Sequence, residues 1–327
     1  MFIPLRLVST GKALPRSCIT SASLDEKLGH SAGYVFKRSG VRSRYLATKS
    51  ESQSQLGAAA LQDALRNAGL KPGDIDLLIS ACAVGEQALP NTGCFIAAHA
   101  GLSAGTPAFD VNASCLSFLV ALNIASSLLN THAHRRIAVV SADIASRGLN
   151  WDDPEASLIF GDGAAAVILE KGTPAQGIRD FHLQTYTSGR HYCEIRAGGS
   201  RLNPNTGSTP HDYLFHMDGK AVFKLAAKEM PDFLTTLLDR SASDLSTIDV
   251  VVPHQASPLG LSHAAKKLGV PDEKIVKIFE THGNQVAASI PTALHEAVIT
   301  GRAKAGSRVL MMGTAAGLTL GGMVLDL

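Results

Sequence analysis

Four segments in the first half of this 327-residue chain recur in the same order in the second half, and this duplication limits the fold more than any other feature. LGAAALQDALRNAGL leads into GDIDLLISAC (73–82), as FKLAAKEMPDFLTTLLDR leads into STIDVVVPHQ (246–255), each pair reading as a helix followed by a buried strand. IAAHAGL with TPAFDVNASC (106–115) matches HAAKKLGV with KIVKIFETHGN (274–284), again a helix, a turn and a strand. RRIAVVSADI (135–144) matches SRVLMMGTAA (307–316), and GAAAVILE (163–170) matches LGGMVLDL (320–327). The last pair lies closer together because the first half alone carries the excursion SRGLNWDDPEASLIFGDG. Alternating helices and strands predict an α/β fold of two mainly parallel sheets packed as layers. A first half over 1–172 and a second over 173–327 are expected, with an irregular connection over about 175–215, rich in Gly, Asn, Ser and Thr.

Composition excludes several classes of function. A hydrophobic content of 45% supplies a large core, and 30 basic against 28 acidic residues leave no charged run suited to nucleic acid or an anionic membrane. No apolar run reaches the roughly 20 residues of a spanning helix, and the N-terminal MFIPLRLVSTGKALP lacks the order of a signal peptide. The five cysteines are widely spaced with no CxxC, which argues against a disulfide framework and a zinc site. A reducing cytoplasm and no metal are therefore expected.

Functional groups of open α/β sheets gather at the carboxyl ends of strands. Cys115 follows PAFDVNA and precedes the helix-like LSFLVALNIASSLL, where helix N-terminal N–H groups are expected to lower its pKa and favour the thiolate. Asn284 occupies the matching place in the second half, and His254 ends the strand DVVVP. Taken singly, such a cysteine is often an inert core residue, such a histidine structural, and an asparagine in HGN a turn residue. Their coincidence at equivalent strand ends favours a shared site.

At these residues the chain resembles the β-ketoacyl-acyl carrier protein synthase III family of condensing enzymes, within the thiolase superfamily. The resemblance runs nearly end to end and rests on RSGVRSRY (38–45), FDVNASC (109–115), IFGDGAAAVIL (159–169), VPHQAS (252–257), HGNQVAASIPTAL (282–294) and GLTLGG (317–322). It implies a thiolase-like, five-layered αβαβα homodimer that needs no cofactor and takes coenzyme A or acyl carrier protein thioesters. It also implies that Cys115 carries the acyl group, that backbone N–H groups of Cys115 and Ala316 hold the oxyanion, and that His254 and Asn284 stabilise the enolate formed by decarboxylation of a malonyl thioester.

Other positions bear on substrate. Tyr34 stands where the family usually has a tryptophan that stacks on adenine, beside a retained Arg38. Pro154 and Leu259 replace arginines that help bind coenzyme A and dock the carrier protein, whereas Lys224, Lys228, Lys266 and Lys267 remain as cations for an acidic partner or phosphates. Leu89, in the segment GEQALPNTGC that corresponds to the dimer-crossing loop, replaces a phenylalanine that often blocks longer acyl chains. Some relatives carry a glutamate base directly before that proline; here Glu86 is three positions further away, which favours the decarboxylating route. Transfer of the acyl group to an amine or hydroxyl is the alternative enzyme, and a scaffolding partner subunit is the non-enzymatic one.

Overall fold

A computed structural model describes residues 2–258, 260–262 and 269–327, so Leu259, Lys266 and Lys267 lie outside the described residues. The strands entering the two main sheets or flanking the site are β1 (Ile3–Pro4), β2 (Arg6–Ala13), β3 (Ser17–Thr20), β4 (Ser43–Leu46), β5 (Leu77–Ser80), β6 (Ala108–Asp110), β7 (Arg136–Asp143), β8 (Gly163–Glu170), β9 (Gly177–Thr185), β10 (Cys193–Ile195), β11 (Phe215–Met217), β12 (Val250–Pro253), β13 (Arg308–Ala315) and β14 (Thr319–Asp326). One five-stranded sheet runs β2-β8-β7-β5-β6 and the other β1-β9-β14-β13-β12.

The duplication survives in these orders. β2, β8, β7 and β5 have their counterparts in β9, β14, β13 and β12, while the counterpart of β6 is reduced to one parallel bridge between Val251 and Ile275. The first strand crosses over, pairing Ile3 with Ile178 at the edge of the second sheet. Contrary to the mainly parallel expectation, each sheet is mixed: β5 is parallel to β6 and β7, and β12 to β13, but β8 and β14 run antiparallel to their neighbours. The connection Ala316–Leu318 between β13 and β14 is too short for a crossover helix, so the chain must return as a hairpin. Nor is the stretch 175–215 wholly irregular, since β9 runs beside β14 through most of its length.

Strand alternation separates three apolar cores. In β7, Ile137 and Val139 face one core while Ala138 and Val140 face another. Both faces are covered, which is why the strand reads as a continuous apolar run. Helices Gln53–Ala68 and Thr92–Ala100 close the outer face of the first sheet. Helices Ser117–Asn130 and Ser289–Ile299 fill the middle, where Phe118, Leu122 and Leu294 pack among Val139 and Val167 of one sheet and Met311 and Met323 of the other. Helix Gly219–Arg240 covers the far side through Phe233 and Leu237 against Leu320 and Val324. The result is a five-layered αβαβα stack. Phe118 is fully buried in the middle layer, which contributes about 3 kcal/mol from apolar burial alone.

Candidate active site

Of the expected site residues, His254 and Cys115 meet at the carboxyl end of β13. His254 follows β12, and its backbone N–H donates to the Met312 carbonyl at 2.8 Å. Gly313, the next residue of β13, has no room for a side chain: a Cβ there would lie 2.5 Å from His254 Cβ and 3.5 Å from a methyl of Leu116, the residue after Cys115. Three residues further on, the backbone N–H of Ala316 faces the Cys115 sulfur, as does the N–H of Cys115 itself. One strand end thus touches both the imidazole and the nucleophile's turn.

Cys115 is half-buried and begins the turn into helix Ser117–Asn130. Contrary to expectation, its thiol is not acidic. Burial pushes it up to about 12, reinforced by the negative charge of Asp143 and by Cys193, and the two facing N–H groups only partly offset this. His254 is buried too, and loss of solvent pulls its pKa down to about 4. At neutral pH the resting pair is therefore an uncharged thiol and an uncharged imidazole. A neutral imidazole donates one N–H while keeping its other nitrogen as an acceptor.

Contrary to the expected register, the counterpart of Asn284 is Asn112 rather than Cys115, since each amide oxygen accepts the N–H two residues on, and Asn284 does not follow a regular strand. It follows the single helical turn Phe279–His282 and forms one parallel bridge with Phe160, its N–H donating to the Ile159 carbonyl at 2.8 Å and its carbonyl accepting from Gly161 N–H at 3.1 Å. This pairing explains the glycine of IFGDG, because a Cβ on Gly161 would fall 2.1 Å from the His282 carbonyl oxygen. The Asn284 side chain has a fixed orientation: Oδ1 accepts the Val286 N–H at 2.8 Å and the Ser289 hydroxyl at 3.4 Å. A backbone N–H must meet the oxygen, so Nδ2 is left as the outward donor.

A cavity of about 500 Å³ leads to His254, lined by Arg38, Pro154, Ser257 and apolar residues of helix Gly219–Arg240 such as Val222 and Met230. Tyr34 lies beside it rather than in it, tilted on His30 with ring centroids 4.3 Å apart and packed in the cluster that holds Trp151 and Leu158. Leu89 is 83% exposed and lines no part of its own chain's cavity. The Glu86 carboxylate accepts the Ser54 N–H at 2.7 Å, which occupies it at the start of helix Gln53–Ala68. Lys224 is exposed, and Lys228 is paired with Glu229 at 2.7 Å.

Three features were missed in the sequence. Gln255 is fully buried; its Nε2 donates to Pro253 and Val276 carbonyls and its Oε1 accepts from Ile278 and Phe279 N–H groups, tying the His254 strand end to the segment before Asn284. Phe160 and Phe215 meet edge to face at 5.3 Å, which brings the hairpin of β10 and β11 against Asn284's bridge partner. Asp143, an acid closing the apolar strand RRIAVVSAD, is buried beside the site. Its position after a long apolar run was the available signal.

Fold and site together define a duplicated α/β acyltransferase of the condensing type. Family models for 3-oxoacyl-[acyl-carrier-protein] synthase III match residues 109–187, and those for its C-terminal part residues 238–327. The β-ketoacyl-[acyl-carrier-protein] synthase III of Thiobacillus denitrificans is 35% identical over 98% of both chains, and that of Coxiella burnetii 33% identical over 98% of this chain and 99% of its own. The 3-oxoacyl-[acyl-carrier-protein] synthase III of Aquifex aeolicus superposes with a TM-score of 0.88 at 29% identity, covering 99% of this chain and all of that one. The chain belongs to the β-ketoacyl-acyl carrier protein synthase III family. The OleA protein of Xanthomonas campestris shares the fold, with a TM-score of 0.87 at 20% identity over the full length of both chains.

Proposed function

We propose that Cys115 accepts an acyl group from a thioester and that His254 and Asn284 support its condensation with a malonyl thioester to a 3-oxoacyl product. In the first step the Cys115 sulfur, giving up its proton, attacks the thioester carbonyl; the tetrahedral oxyanion collapses and the donor thiol leaves with a proton. In the second, the malonyl C–C bond breaks, carbon dioxide departs, and the electron pair moves onto the thioester oxygen. That enolate oxygen is held by an imidazole N–H of His254 and by Asn284 Nδ2. The enolate carbon then bonds to the acyl carbon, and the Cys115 thiolate is released. Neither step needs a cofactor, because the thioesters supply the activation.

The observation that carries this reading is the pair of backbone N–H groups, from Cys115 and Ala316, turned to the Cys115 sulfur. Donors in that position meet the oxygen of a group attached there. The apolar cavity ending at His254 suits the arm of coenzyme A or of an acyl carrier protein, with Arg38 at its wall and Lys224, Lys266 and Lys267 as cations for docking. Tyr34 is the proposed adenine contact. The exposed Leu89 is the residue we assign to the acyl pocket of a second copy in a homodimer, and a cytoplasmic location follows from the substrates. The protein is to be incubated with a panel of acyl-coenzyme A and acyl carrier protein thioesters, with and without malonyl thioester, and the acylated peptide found by mass spectrometry. An adduct on Cys115 that disappears with malonyl donor is expected. No adduct from any donor would overturn the reading, and an adduct cleared by an amine or alcohol would replace condensation with simple transfer.

A further inference from the structure

Asp143 closes β7 and is 4% exposed, and no cation pairs with it among the described residues. Its carboxylate is held by backbone N–H groups from both halves of the chain. Oδ1 accepts from Ala83 at 3.0 Å and Oδ2 from Ala287 at 3.1 Å. Each of these contacts continues to a functional group by one or two further bonds. On one side, the Ala83 carbonyl accepts Asn112 Nδ2 at 2.9 Å, and Asn112 Oδ1 accepts the N–H of Ser114, next to Cys115, at 2.9 Å. The neighbouring Cys82 carbonyl accepts the Ser117 hydroxyl at 3.2 Å, and that oxygen accepts Ala113 N–H at 2.9 Å. On the other side, Ala287 is adjacent to Val286, whose N–H fixes the Asn284 amide.

We propose that Asp143 is a positioning residue that sets the distance between the nucleophile's turn and the enolate-binding asparagine by clamping Ala83 of one half to Ala287 of the other. This rests on the condensing reading above. Burial pushes the Asp143 carboxyl up to about 7, which the backbone N–H groups of the two loops offset only in part, so this acid is costly to bury and its hydrogen bonds to two separate loops are what it provides here. A neutral apolar residue at this place would leave both N–H groups buried without partners. The charge has a second consequence, since Cys82 and Cys115 are the titratable neighbours on which it acts, raising both thiols. Above about pH 7, where its own carboxyl is ionised, Asp143 adds to burial in holding Cys115 protonated.

The test is Asp143→Asn, which keeps the shape, removes the charge and retains one of the two acceptors. Condensation is expected to fall about tenfold to a hundredfold more than acylation of Cys115, the scale of a misplacement near 1 Å. In the absence of any substrate, the pH profile of Cys115 alkylation by iodoacetamide is expected to move to lower pH. Equal loss in both half-reactions with an unmoved alkylation profile would mean that Asp143 only stabilises the fold, and would overturn the proposal. Should that variant not fold, Asn112→Ala cuts the next link at an exposed position, and the same excess loss of condensation over acylation is expected; equal losses would again overturn it. Wild-type protein that makes no 3-oxoacyl product would refute the condensing reading instead, while the alkylation profile still decides the charge effect.

Discussion

The turns that carry Cys115 and Asn284 are repeat equivalents built to different standards. Cys115 stands between the regular strand β6 and a 14-residue helix. Asn284 stands after one helical turn, in a single bridge, and is followed by a 3-10 turn before the 11-residue helix Ser289–Ile299. The helices that follow occupy the same middle layer, and the turns keep one backbone pattern: Ser114, at φ 52°, donates to Asn112 Oδ1 as Val286 donates to Asn284 Oδ1, so duplication has preserved packing and turn while the side chains have diverged. That divergence serves chemistry. A nucleophile needs backbone donors aimed at its atom, supplied by its own N–H and by Ala316. An amide that must donate needs its oxygen tied down, which Val286, held at φ 53°, and Ser289 accomplish. A left-handed backbone at a β-branched residue is strained, and here it aims the N–H that fixes the asparagine.

If the two turns divide the labour in this way, loss of the nucleophile itself should abolish everything, and loss or displacement of the enolate donors only part. The largest effect is expected for Cys115→Ala, with loss of both adduct and product by at least about a thousandfold in single-turnover assays. Next comes Gly313→Ala, because its new Cβ would collide with His254 Cβ. It is expected to cost about 1–3 kcal/mol in urea unfolding and to slow condensation more than acylation, through displacement of the imidazole. Unchanged unfolding would show that β13 does not press on His254.

The smallest effect concerns acid. His254 is neutral in the fold down to about pH 4, whereas in the unfolded chain it takes up a proton near its ordinary 6.5. Its contribution to stability is thus fully present above pH 6.5 and is lost as pH falls towards 4, by up to about 1.4 kcal/mol per pH unit. His254→Gln should flatten this part of a pH-stability curve measured by chemical denaturation. An identical slope in the variant would place the acid sensitivity elsewhere.

Much of this was legible in the amino-acid sequence because it lies in periodic patterns. The continuous apolar runs of β7 and β14 reflect coverage on both faces, and their recurrence revealed the duplicated layers. Strand direction was not legible, since a run such as LGGMVLDL reads the same in either direction; only the short link Ala316–Leu318 decides it. The positions of Cys115, His254 and Asn284 at the ends of their segments could be read, but the acidity of Cys115 could not. The helix start argued for a thiolate, and burial with Asp143 nearby outweighs it. Both opposing influences come from residues distant in sequence. Gln255 escaped notice for the same reason: three of its four bonds reach residues more than twenty positions away and leave no local pattern.

The central claim is the separation of roles between the two turns, and it is tested most directly with Asn284→Ala supplied with acyl donor and then with malonyl thioester. The account predicts that the variant forms the acyl adduct on Cys115 at a rate near wild type, while release of carbon dioxide and 3-oxoacyl product falls by about a hundredfold to a thousandfold, as for loss of a donor to a developing oxyanion. Condensation at the wild-type rate, or loss of the acyl adduct itself in correctly folded protein, would contradict it.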